Sequence, residues 1–320
     1  DDGGVHRSLS DGQAFESFYG PPIKPIHPSL QVPGLNNYYI DRPDSLTAGA
    51  GLFDKDVTPV NPWVLDEYIP TANLQDDTLI QTTPIWLYLC SRKFVWVCTN
   101  PFGTLDSLPL WNRITNEVLS NSISPREYFT AINVTGDASH TVFVGTNHGR
   151  LYRIQNANDP LNMDVAVNFD TIIDQGEGIN ASMPNRYISD IEFDPNNKNN
   201  MVVTYGTYAS GGSTRIYATN NALSGSVTFH SIGDNLPLIP IYTAAVHPIP
   251  ALGALMIGTE YGFYTTTDDW SNAGATINWN NESGTEIGNA PVYDIYIRPY
   301  YALQVDQDNY RYAPDWAIFA

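Results

Sequence analysis

The chain has 320 residues, 42% hydrophobic and 12% aromatic, enough to bury a sizeable core and too apolar for a disordered segment. Fifteen Lys and Arg against 34 Asp and Glu give a net charge of −19, which repels nucleic-acid phosphates and anionic lipid, and no apolar run nears the roughly 18 to 20 residues that would insert in a membrane as a helix. Only 15% of residues are charged, and lysine is confined to Lys24, Lys55, Lys93 and Lys198; a surface of Asn, Thr, Ser, Asp and Tyr suits turn-rich β structure in a secreted, extracellular or cell-surface setting.

In chain order, residues 2–8 (Asp-Gly-Gly-Val-His-Arg-Ser) read as the second half of a strand–turn–strand unit. The first residues carry no basic start and no apolar stretch, so an exported form would already have lost its signal peptide. Residues 16–84 are the least regular. Residues 20–28 are proline-rich, and residues 36–44 and 63–70 carry aromatics among polar residues. Residues 85–89 (Ile-Trp-Leu-Tyr-Leu) and 94–97 (Phe-Val-Trp-Val) read as a hairpin. Cys90 and Cys98 fall on its two arms. Cys90 lies at the turn and Cys98 about four residues up the return strand, roughly 13 Å away, too far for a disulfide. Two buried free thiols are expected, and without nearby His they make no zinc site. Residues 105–123 have the best helical spacing, weakened by Pro109, Asn112 and Asn121.

From there the chain repeats itself. Residues 141–153 (Thr-Val-Phe-Val-Gly-Thr-Asn-His-Gly-Arg-Leu-Tyr-Arg) and 254–265 (Ala-Leu-Met-Ile-Gly-Thr-Glu-Tyr-Gly-Phe-Tyr-Thr) share an apolar strand, Gly-Thr-x-x-Gly and an aromatic strand. Gly149 and Gly262 fall where the hairpin needs a positive φ. Residues 200–219 carry a stretched copy, and residues 94–99 and 316–320 look like first halves of two more. Each full copy follows an alternating strand: residues 128–135, 187–195, 241–248 and 292–299, three of them ending in proline, which cannot continue a ladder. An aromatic follows at Trp111, Phe169, Phe229 and Trp279. Four strands per unit at about 50 residues predict an all-β fold, a β-propeller of four-stranded antiparallel blades. A β-sandwich is the rival, but it leaves the in-register recurrence unexplained. One continuous propeller is expected: residues 1–84 supply a partial blade plus the irregular insertion, and residues 85–320 the repeated blades. The ends fall in mid-repeat, which suggests a piece of a longer chain or a closing blade that pairs residues 317–320 beside residues 4–8.

These repeats resemble the sortilin-type and bacterial-neuraminidase-repeat propellers, over about residues 85–320. Residues 187–206, 141–153 and 255–267 carry the resemblance, and residues 233–242 (Gly-Asp-Asn-Leu-Pro-Leu-Ile-Pro-Ile-Tyr) resemble the family's connector between blades. The family's Asp-box, Ser-x-Asp-x-Gly-x-Thr-Trp, is degenerate here. Residues 8–15 keep Gly12 and Phe15 but have Ser10 for Asp. Residues 219–229 keep only the ends. Residues 266–279 keep Asp268, Gly274, Thr276 and Trp279 with insertions. The resemblance implies that the box is a hairpin-stabilising turn, so Gly12, Gly149, Gly262 and Asp268 are expected in structural turns. The overall flavour is similar to propellers of large exported Bacteroidota proteins, cargo of the type IX secretion system, which implies a surface role.

Chemistry is thin, and no catalytic residue is singled out. Glycoside hydrolysis needs two carboxylates flanking a cleft. Asp190, Glu192, Asp194 and Asp294 sit on blade strands and read as strand-end turn carboxylates. A sialidase-like arginine cluster is missing. The histidines lie in turns or strand ends, and no Gly-x-Ser-x-Gly elbow precedes a helix. No cofactor is expected. Asp306 and Asp308 have oxygen ligands suited to calcium but no complete loop pattern. Asn133, Asn180 and Asn281 match the glycosylation acceptor pattern. The expected function is a binding or scaffold module in a larger extracellular protein or complex, with proteins or glycans at the cell surface as partners. Tyr38, Tyr39, Trp63 and Tyr68, in the insertion, are the candidate contact residues. A glycan-cleaving propeller of sialidase or xyloglucanase type is the alternative.

Overall fold

The computed structural model describes residues 5–7, 16–18, 62–66, 85–90, 94–98, 111–115, 127–158, 169–174, 180, 183–208, 214–249, 253–284, 288–299, 304–306, 309–310 and 316–319. All regular structure among them is β. In order the strands are β1 (Val5–Arg7), β2 (Glu16–Phe18), β3 (Trp63–Asp66), β4 (Trp86–Cys90), β5 (Val95–Cys98), β6 (Trp111–Arg113), β7 (Phe129–Val134) and β8 (Val142–Thr146). They continue with β9 (Leu151–Ile154), β10 (Phe169–Ile173), β11 (Ile188–Asp194), β12 (Asn197–Tyr205), β13 (Ile216–Thr219), β14 (His230–Ser231), β15 (Ile241–Val246) and β16 (Leu255–Thr259). The last are β17 (Gly262–Thr266), β18 (Asn280–Asn281), β19 (Tyr296–Pro299), β20 (Gln304–Asp306), β21 (Asn309–Tyr310) and β22 (Trp316–Phe319).

Four sheets are four-stranded antiparallel meanders: β3–β6, β7–β10, β11–β14 and β15–β18. The fold is a β-propeller of such blades. The chain forms two compact units, residues 1–171 and 172–320. The first blade takes β3 from the stretch read as irregular insertion: Trp63 pairs Leu89 and Asp66 pairs Trp86. Residues 105–123 contain strand β6, so their helical spacing is overridden by pairing with β5. Outside the full blades, β1 pairs β2, β20 pairs β21, and Tyr296–Pro299 pairs Trp316–Phe319.

A blade's middle strands are covered on both faces, and the sequence shows it. β4, β5, β8 and β16 are buried at nearly every position, while β7 and β11 alternate. In the first unit Tyr88, Cys90, Val95 and Val97 pack with Ile132, Val134, Val142 and Val144 of the second blade. The odd-numbered neighbours Leu87 and Leu89, with Phe94, Trp96 and Cys98, form a separate cluster on the other face. The two thiols therefore point to opposite faces. Cys90 lies opposite Val95 and Cys98 opposite Leu87, and both are buried and free. In the second unit Val202, Ile216 and Ala218 pack with Leu255, Ile257, Trp270 and Trp279, and Met256 and Phe263 pack on the far face with Val292 and Ile295.

The first strands of three blades carry a register shift at the same place, at Phe129/Ala131, Ile188/Asp190 and Ile241/Thr243. A bulge there re-aims the side chains of residues 189–190 and 242–243 without ending the ladder. The Gly-Thr-x-x-Gly turns also repeat as expected. Gly149 has φ 82° and Gly262 φ 92°, the left-handed region that glycine enters freely. The Thr hydroxyl before each accepts the amide two residues on: His148 N to Thr146 Oγ1 at 3.3 Å, and Tyr261 N to Thr259 Oγ1 at 3.1 Å.

Candidate functional site: a tyrosine surface around Glu260

Asp268 sits between β17 and β18, where its carboxylate accepts Asn278 N at 2.6 Å and Asn278 Nδ2 at 3.0 Å. Asn221 holds the same place between β13 and β14 and accepts Thr228 N at 3.0 Å. In both turns a Thr hydroxyl two residues earlier accepts the amide of the Asp or Asn. These are hairpin-stabilising turns. Trp279 then anchors the last strand of its blade. Its indole donates to Ile232 O at 2.7 Å, and its backbone is clasped by the Asn235 side chain of the connector.

Asp190 corrects the expectation of a strand-end carboxylate. It lies within β11 at the bulge, half-buried, and its carboxyl is held between β11 and β15. One oxygen accepts Ile191 N at 2.8 Å; the other accepts Thr243 Oγ1 at 3.0 Å and Ala244 N at 2.8 Å. Beside it Ser189 Oγ donates to Ile241 O at 2.6 Å. Removal from water pushes the Asp190 carboxyl up to about 6, against three donors that favour its ionised form, with the Asp294 carboxylate adding to the rise. Asp194 does behave as a turn carboxylate, accepting Asn196 N and Asn200 Nδ2. Asp294 is exposed and precedes β19 rather than lying in a strand.

The end of the blades where β11 and β15 begin and β12 and β16 finish carries the most distinctive surface of the second unit. Ile188 pairs Tyr205 and Ile241 pairs Thr259, so residues 205–208, 241–242 and 259–262 share that end. Val292 N donates to Thr259 O at 2.9 Å, which brings residue 293 to the same place. Tyr242 is half-buried and its phenol donates to Glu260 Oε2. Burial, and then the Glu260 carboxylate, raise the Tyr242 phenol well above the usual range, so it remains a donor. The Tyr293 ring lies 4.7 Å from that of Tyr242, tilted by 33°. The neighbouring Tyr261 phenol, with partial burial and the nearby Glu260 charge, lifts the Tyr208 phenol to about 12. Tyr208, Tyr261 and Tyr293 are 54%, 49% and 68% exposed. One phenol thus holds the Glu260 carboxylate, with the Tyr293 ring against that donor's ring and Tyr208 nearby. The Arg186 guanidinium donates to Tyr208 O at 3.0 Å and ties the loop down.

Of the residues singled out by sequence, Trp63 starts β3 and is 60% exposed. Tyr38, Tyr39, Tyr68, Gly12 and Asp308 lie outside the described residues, and only the strand position of Asp306 is described. Among the described residues no group of three or more His, Cys, Asp or Glu is placed to hold a metal ion. The Asn180 amide, one of the glycosylation matches, donates to Ile172 O and Val227 O, a structural use. The tyrosine surface was missed, because each member reads alone as an ordinary strand or hairpin residue. The available signal was Tyr242 and Tyr293 at matching positions of two copies.

No protein-family model matches the chain, and no curated protein matches it. Among solved structures, the mitotic checkpoint complex is similar at 10% identity over 67% of this chain and 52% of that one, with a TM-score of 0.42. YCF48 from Cyanidioschyzon merolae is similar at 10% identity over 67% of this chain and 58% of that one, TM-score 0.42. The GH74 enzyme of Niastella koreensis is similar at 14% identity over 68% of this chain and 30% of that one, TM-score 0.40. The chain spans about half the length of the first two and about a third of the last.

Proposed function

We propose that this chain is a binding module, a rigid propeller that presents the Tyr208–Tyr242–Glu260–Tyr261–Tyr293 surface to a partner at the cell surface or outside the cell. One observation carries the reading: three strongly exposed tyrosines share a single end of the blades with the Tyr242–Glu260 pair. Tyrosine supplies rigid contact area with a polar handle, the chemistry enriched at recognition surfaces. The degenerate Asp-box turns support kinship with sortilin-type and bacterial-neuraminidase-repeat propellers, and the lysine-poor composition supports an exported, type IX-like origin. The test is a panel of immobilised glycans and of acidic, neutral and basic peptides, probed with the wild-type protein and with Tyr208→Ala/Tyr293→Ala. Binding of one class that disappears in the variant, with melting unchanged, supports the reading. Identical binding profiles overturn it.

A second reading, glycan hydrolysis, draws on Asp190, a carboxyl raised to about 6 near the exposed Asp294. Three donors already engage the Asp190 oxygens, which favours a strut between strands over an acid free to protonate a leaving group. Reducing-end release from xyloglucan that vanishes in Asp294→Asn would establish hydrolysis.

A further inference from the structure

We propose that the Glu260 surface takes a cationic side chain, lysine or arginine, from an extended segment of a protein partner. The inference rests on the reading of this surface as the recognition site and names its ligand. Glu260 is the starting point. Its Oε2 accepts the Tyr242 phenol, and no described Lys, Arg or His forms an ion pair with it. Among the described residues the carboxylate is thus held by a neutral donor, which leaves its charge uncancelled by them.

The rings around it supply the rest. A phenol ring presents a negative π face, and an ammonium or guanidinium within about 6 Å of several such faces is attracted to each. Tyr293 is the most exposed of the four, and its ring is backed by that of Tyr242, which restricts its motion. A cation docked beside Glu260 would meet one formal charge next to the paired Tyr242 and Tyr293 rings. Long-range charge acts in the same direction: at −19 the chain draws basic segments and repels acidic ones. A neutral sugar could stack on Tyr293, but it would gain nothing from net charge, and its hydroxyls would compete with Tyr242 for Glu260.

The probes are pentalysine, its fully Nε-acetylated form and cellohexaose, titrated calorimetrically into the wild type, Glu260→Gln, Tyr293→Ala and Glu282→Gln. Glu282 is exposed on the outer part of the same blade, where it accepts Thr265 Oγ1 at 3.3 Å, so its variant is a charge control. Pentalysine is expected to bind the wild type and Glu282→Gln alike and to weaken about tenfold in Glu260→Gln and in Tyr293→Ala, and the acetylated peptide should lose binding. Equal pentalysine affinity across all four proteins overturns the inference, because only diffuse charge would then be sensed. No pentalysine binding also overturns it. Cellohexaose binding that Tyr293→Ala removes, without pentalysine binding, overturns the cationic ligand while leaving the recognition surface standing. If no probe responds to Tyr293→Ala, both fall.

Discussion

Asp190→Asn tests how the blades of the second unit are joined. In the folded chain the Asp190 carboxyl is pushed from 3.8 up to about 6, chiefly by its removal from water. A rise of roughly two units at 1.36 kcal/mol each is worth about 3 kcal/mol. The direction follows from proton counting. Below 3.8 both states hold the proton, and the favourable contribution is complete. As pH rises through 3.8 the unfolded chain releases its proton while the folded chain keeps it, so stability falls. Above about 6 both are ionised, and the full cost of the half-buried carboxylate remains. Between pH 4.5 and 7.5 the loss amounts to about 2 kcal/mol for these two pKa values. Other groups titrate in that range as well, and discharging a −19 chain alters stability by itself. The Asn variant cannot titrate at this site, so the difference between wild type and variant isolates it. Urea unfolding of both proteins at half-unit pH steps gives that difference. It should fall by about 2 kcal/mol from pH 4.5 to 7.5, with most of the change complete by pH 6.5. A flat difference would refute the reasoning, and so would one that rises with pH; the latter would mean that the donors Ile191 N, Thr243 Oγ1 and Ala244 N outweigh desolvation.

Gly258→Ala should lose about 1–3 kcal/mol by thermal or urea unfolding, because a Cβ there would lie 2.5 Å from Val292 O and 2.8 Å from Thr243 Cγ2. Gly225→Ala, where nothing lies within 4 Å, is the matched control and should be near neutral. Both cysteines should resist a thiol reagent in the native protein and react together on unfolding without prior reduction, since both are buried and burial pushes the Cys90 thiol up; one reactive equivalent in the folded state would contradict the opposite-face packing. Glu127→Gln should destabilise by roughly 2–4 kcal/mol, because it weakens the buried contacts to Arg150 Nη1 at 2.9 Å and Thr146 Oγ1 at 2.9 Å that brace the second blade's hairpin. A loss below about 1 kcal/mol would place that ion pair among the energetically silent ones.

The blades were legible where the backbone dictates the residue. Gly149 and Gly262 need positive φ, and Thr146 and Thr259 cap the same turn, so the pattern recurs in plain sight. The doubly apolar middle strands were legible for the same reason: β4, β8 and β16 have no solvent face on which to place polar residues. Strand β3 was not, because four residues between prolines carry little periodicity and their partner β4 begins twenty residues later. The role of Asp190 was hidden too. Its donors Thr243 and Ala244 lie 53 and 54 residues away, and a local reading of Ser-Asp-Ile-Glu sees only a polar strand. The tyrosine surface was hidden most completely, since its members come from three blade repeats and meet only because antiparallel pairing sends β12 and β16 back to the end where β15 starts.

That same geometry suits this end to the recognition proposed for it. Binding costs less when the contact residues are already ordered. Tyr242 begins a strand whose bulge is held by Asp190, Glu260 and Tyr261 are the two central residues of a hairpin whose Thr259 hydroxyl donates to Gly262 O at 2.8 Å, and Gly262 N is fixed by Ala290 O at 3.0 Å just ahead of Tyr293. A side chain at Gly262 would sit 2.0 Å from Ser283 Oγ, so the hairpin and the following segment are seated against each other with no slack. The aromatic surface is therefore built on turns, where sequence is free to vary, yet those turns are fixed by hydrogen bonds that belong to the blade. A partner would meet rings that need little ordering, and weakening the seat at Gly262 or Asp190 should loosen binding even though neither residue touches the ligand.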